Sequence, residues 1–126
     1  MRQTVQLARQ AVRSAMEVRR LAGLSTSEPL CIFDVAENRG VEVKFFRGDS
    51  FDGLYARVSQ TVLVPSLRPP GRQAFTCAHE LGHWYFEHGT RIEELKFFDL
   101  NYNSKPEERL ANLFAAYLLN AYRLYS

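Results

Sequence analysis

Cysteine is scarce. Cys31 and Cys77 are the only two in 126 residues, too few for the disulfide framework that holds small exported domains together. Both read as thiols, buried in a reducing compartment. Long apolar runs are missing too: the longest, Leu113 to Leu119, falls well short of the roughly 18–20 residues that cross a bilayer. No membrane role is expected. Five of the first twenty residues are arginine, yet that segment has neither the apolar stretch nor the small-residue cleavage site of a secretory signal. A soluble, cytoplasmic protein is expected. An excess of one charge is also lacking, because 16 basic and 14 acidic side chains leave a net +2. So even a balance does not point to a phosphate backbone, and no direct nucleic-acid contact is predicted. What remains is a globular composition, 46% apolar and 13% aromatic, which can offset the entropy of ordering a fold. One domain over residues 1–126 is expected.

The apolar positions Val5, Ala8, Val12, Ala15 and Met16 recur at three and four, predicting an amphipathic helix from Thr4 to Leu21 with its arginines on a solvated face. Ser27 and Pro29 open a second helix through Cys31, Val35 and Ala36 that Gly40 ends. The period then drops to two. A strand at Val41–Phe45 is followed by Leu54–Val58 and Thr61–Val64, joined as a hairpin by Ser59-Gln60. Pro69-Pro70-Gly71 breaks the strand and starts a helix from about Gln73 to Glu87, with Gly89 as its stop. A short element near Ile92–Phe98 is expected next. Ser104-Lys105-Pro106-Glu107 then caps a final helix running to about Tyr122. The expected class is α+β, with a small antiparallel sheet of about three strands packed against the helices.

His79-Glu80-Leu81-Gly82-His83 is H-E-x-x-H. On a helix the two imidazoles lie about 40° apart and point the same way, as two zinc ligands must. Glu80 falls about 60° from His83 and 100° from His79, beside a metal and able to act as a base on water. A catalytic zinc needs a third protein donor. Glu108 and Asn112 share a face of the last helix, with 24 residues between His83 and Glu108. Glu108 is the candidate ligand, and Asn112 the candidate acceptor for a ligand histidine's second N–H. Glu107 instead complements the helix N-terminus. Cys77 lies about 200° from His79 and belongs to the core. On a continuing helix His88 sits about 140° from His83, which makes it a C-terminal histidine.

Phe75-Thr76-Cys77-Ala78-His79-Glu80-Leu81-Gly82-His83, followed by Glu108-Arg109-Leu110-Ala111-Asn112-Leu113-Phe114-Ala115-Ala116, resembles the ImmA/IrrE metallopeptidase family pattern F-T-x-A-H-E-x-x-H and E-x-x-A-N-x-F-A-A. Asp52-Gly53-Leu54-Tyr55 matches the family more weakly, and the resemblance spans about residues 30 to 120. It implies a minimal zincin-like domain of the gluzincin kind. His79, His83 and Glu108 would hold one Zn2+, and Glu80 would be the catalytic base. It also implies a bacterial or phage cytoplasmic setting and a protein substrate such as a helix-turn-helix transcriptional repressor.

The expected function is therefore a zinc-dependent endopeptidase. Manganese or iron could occupy a His2Glu site under different availability. A strand edge at Leu54–Val58 or Thr61–Val64 would hold an extended substrate. Tyr55, Tyr102 and His88 are the candidates for stabilising the oxyanion. Two alternatives stand beside this reading. One is a non-catalytic zinc-containing module that regulates a repressor or another partner by binding. The other is a structural zinc site closed by a fourth ligand such as His88.

Overall fold

A computed structural model describes residues 2–26, 28–48, 51–89, 91–93 and 105–124. The element order is α1 (Arg2–Leu21), α2 (Ile32–Asn38), β1 (Glu42–Phe46), β2 (Gly53–Ala56), β3 (Thr61–Pro65), α3 (Pro70–Tyr85), β4 (Arg91–Glu93) and α4 (Pro106–Leu124). This is the α+β class expected. Ser27, Ser104 and Tyr102 lie outside the described residues, as does the part of the expected Ile92–Phe98 element beyond Glu93.

Among the described residues the sheet has four strands in the order β1-β3-β2-β4, and it corrects the antiparallel expectation. β2 and β3 form the predicted hairpin, but β1 runs parallel to β3, with Glu42 opposite Thr61 and Phe46 opposite Pro65. The Phe46 carbonyl accepts from both the backbone N–H and the hydroxyl of Ser66, at 2.8 and 3.0 Å. Those bonds tie the ends of β1 and β3 together. Alternation fixes which face a residue takes but not the direction of the neighbouring strand, so this pairing was outside the reach of periodicity. The hairpin turn also begins earlier than expected. Val58 leaves the strand and stands fully exposed at the turn.

The ends of α1, α2 and α3 follow one backbone device. At α1 the N–H of Leu24 reaches the Arg19 carbonyl and that of Gly23 reaches Arg20; at α2, Val41 reaches Ala36 and Gly40 reaches Glu37. These are Schellman closures, with Gly23 at φ 77° and Gly40 at φ 84°. α3 closes in the same way without glycine. His88 N–H bonds the His83 carbonyl, Glu87 N–H bonds Trp84, and Glu87 itself is left-handed at φ 59°. The expected stop at Gly89 is therefore displaced to Glu87, and α3 starts at Pro70 rather than Gln73 because a proline at the first helical position loses no hydrogen bond.

α3 packs on β2, β3, α2 and α4, while α1 packs on α4. One apolar core joins Ala15 and Val18 of α1, Val62 and Val64 of β3, Leu81 of α3, and Phe114 and Leu118 of α4. The arginines of α1 are not all solvated as expected. Arg19 is fully buried, donating from Nε and Nη2 to the Leu118 carbonyl and from Nη1 to the carbonyls of Ser25 and Glu28, at 2.7–3.1 Å. Carbonyl acceptors satisfy a buried guanidinium that sequence periodicity reads as surface. Among the described residues no helix is long and apolar enough to cross a membrane.

Candidate metal centre

Every residue from Thr76 to His83 is buried. A helix buried all round needs a neighbour on each side, and two glycines mark where those neighbours come closest. A Cβ on Gly53 of β2 would lie 2.6 Å from Thr76 Cγ2 and 3.1 Å from Glu80 Oε2. A Cβ on Gly82 would lie 3.1 Å from Phe114 Cδ1 and 3.3 Å from the Ala111 backbone. The sheet is thus pressed against the Glu80 side of α3, and α4 against the Gly82 side. Asp52 anchors the first of these contacts: its carboxylate accepts from Arg68 at 2.9 and 3.1 Å and pairs with Arg72 at 2.9 Å. The start of β2 is thereby tied to the segment that leads into α3 and to its first turn.

Three donor atoms converge between α3 and α4. His79 Nε2 and His83 Nε2 are 3.1 Å apart, and they lie 3.2 and 3.4 Å from Glu108 Oε2. A tetrahedral ion with bonds of about 2.0–2.1 Å sets its ligand atoms roughly 3.3–3.4 Å apart. The triangle has the size of one face of such a shell, and two imidazoles with one carboxylate form a donor set that zinc accepts. The residues fit the ion. Glu80 is fully buried beside them, and ligand atoms of His79, Glu80 and His83 lie within 4.8 Å of one another.

The Glu108 carboxyl is ionised beside the two imidazoles. Burial opposes ionisation of Glu108, but hydrogen bonds to His79 and His83, and their charge, outweigh it and hold the carboxyl well below the usual range. The buried Cys77 thiol is pushed far up by desolvation first and by the Glu80 charge second, as suits the core position expected for it. Cys31 corrects its expectation, being exposed just ahead of α2.

The remaining candidates fall in different places. Asn112 is half-buried one turn beyond Glu108. Tyr55 is buried and lines a concavity of about 390 Å3 with Arg57, Trp84, Tyr85 and Glu87. His88 stands at the outer nitrogen of His83, Nδ1 to Nδ1 at 2.7 Å, on the side of the ring opposite the converging Nε2 atoms. It does not close the donor triangle as a fourth ligand. The strands expected to offer a substrate edge are both interior, since β3 lies between β1 and β2, and β2 between β3 and β4. Among the described residues the edges are β1 and β4.

A central helix that brings two histidines to a glutamate on a packed neighbour, with a second buried carboxylate alongside, has the makings of a metallopeptidase centre. Residues 36–125 match the peptidase family described as the IrrE N-terminal-like domain, and the chain belongs to that family. The matched segment holds every element of the centre, and α1 precedes it. No curated protein matches the chain.

Proposed function

We propose that this protein is a zinc-dependent endopeptidase acting on a protein substrate. The observation that carries the reading is the triangle of His79 Nε2, His83 Nε2 and Glu108 Oε2, 3.1–3.4 Å on a side, with the Glu80 carboxylate buried next to it. Zn2+ held there would polarise a peptide carbonyl and lower the pKa of water toward about 7. Glu80 takes the proton of the attacking water and passes it to the leaving amine. Gly53 lets β2 lie against Glu80, whose side chain is buried there. Among the described residues β4 is the outer strand next to β2, with Glu93 opposite Gly53, and its backbone edge is suited to pairing with an extended substrate. The family resemblance favours a helix-turn-helix repressor as that substrate.

The metal half of the reading is tested by native mass spectrometry and competitive zinc titration. The expected result is one zinc per chain in the wild type and in Glu80→Gln, with affinity falling sharply in His79→Ala, His83→Ala and Glu108→Ala. A wild type that stays metal-free in micromolar zinc, or a Glu108→Ala variant that binds as the wild type does, overturns it.

A further inference from the structure

We propose that His88 is a positioning residue for His83, accepting a hydrogen bond from the His83 Nδ1–H and so fixing the tautomer that leaves His83 Nε2 free to ligate. This rests on His83 being a metal ligand. The two Nδ1 atoms are 2.7 Å apart, and one of them must carry the proton. With His83 Nε2 turned to the donor triangle as a lone pair, its single proton sits on Nδ1. His88 then accepts on Nδ1 and carries its own proton on Nε2.

The backbone explains why the rings meet. In a Schellman closure the second residue past the cap folds back over the third residue from the helix end. In α3 those two positions are His88 and His83, so their side chains meet where other helices place an apolar contact. The same turn binds them twice, because the His88 N–H also reaches the His83 carbonyl at 2.8 Å. The residue that reverses the chain is Glu87, at φ 59°, where α1 and α2 use glycine. The His88 ring is supported from behind by Phe86, centroids 5.9 Å apart, and Phe86 packs edge-on against Phe114 of α4 at 5.7 Å. The ligand, its partner and the helix that carries Glu108 are thereby packed as one unit.

Two variants separate the hydrogen bond from the packing. His88→Asn puts an acceptor oxygen near the place of Nδ1, whereas His88→Leu keeps bulk and removes the acceptor. Zinc affinity is measured by competition with a chromophoric chelator, and folding by the melt of the metal-free proteins. The expected result is about a 10–100-fold loss of zinc affinity in His88→Leu, recovery to within a few-fold in His88→Asn, and similar metal-free melts. His88→Leu binding zinc as tightly as the wild type overturns the proposal, and so does His88→Asn binding as weakly as His88→Leu.

Nitrogen-15 NMR of the zinc-loaded wild type tests it without a variant. His83 should show a protonated Nδ1 and His88 an unprotonated one, and a His83 Nδ1 without a proton refutes the assignment. A wild type that binds no zinc defeats the metal reading itself, whereas zinc binding that is insensitive to His88 defeats only this inference.

Discussion

Two carboxylates flank the same pair of imidazoles in different environments. Glu108 faces both Nε2 atoms, whereas Glu80 lies beside them under Gly53. Glu80→Gln is therefore expected to keep zinc and lose cleavage by about 10^2–10^4-fold, the range of a removed general base, as followed by turnover at equal zinc occupancy. Gly53→Ala pushes a methyl into Thr76 and toward Glu80. It should lower turnover by about tenfold while zinc affinity changes little, because a small misplacement of a base is costly to catalysis and not to ligation. The two thiols supply a test of burial: one equivalent of a thiol reagent should react with the native protein, at Cys31, and a second only after unfolding. That His79 and His83 point the same way was legible in the sequence because an i, i+4 pair is a local fact of helix geometry, whereas Glu108 reaches them only through the packing of α4 on α3. The role of Gly53 was not legible, since the space beside Glu80 exists only once β2 and α3 have met.

Helix–helix distance decides whether Glu108 reaches the histidines at all. Gly82→Ala sets a methyl 3.1 Å from the buried Phe114 ring and 3.3 Å from the Ala111 backbone. It should cost about 1–3 kcal/mol by overpacking and weaken zinc binding as well, read from urea unfolding in chelator and from zinc competition. Glu87→Gly relieves the left-handed strain at the end of α3 and should stabilise the protein by about 0.5–1 kcal/mol with zinc affinity unchanged. Four helices and the β2–β3 hairpin were legible from period and breakers. The parallel β1–β3 pair was not, because it is made by tertiary bonds such as those of Ser66 to Phe46. Nor was the end of α3, because the residue that turns the chain is a glutamate and not the nearby Gly89. That one displaced stop carried His88 from the far side of a continuing helix to the ring of His83.

The whole molecule couples the candidate metal centre to the fold through α4, which contacts α3 on one hand and α1 on the other. Arg19 spans the second contact, and Arg19→Met should cost about 2–4 kcal/mol, since charged hydrogen bonds are lost and buried carbonyls left unmet. Glu108 is held below its ordinary 4.5, so its ionised form stabilises the metal-free fold above that value, and the stabilisation is lost as pH falls below it. Acid unfolding in chelator should show this loss in the wild type, and Glu108→Gln should lack that component. Zinc should raise the melting temperature, by an amount set by its concentration over Kd. The central claim is that the buried centre cuts a peptide bond. It is met most directly by intact-mass analysis of zinc-loaded wild type and Glu80→Gln, each incubated with a helix-turn-helix repressor, the class of substrate proposed for it. Fragments of defined mass summing to the substrate plus one water, with the wild type alone, are the predicted result. A stable complex with both proteins and no fragments would contradict it, leaving a module that regulates its partner by binding.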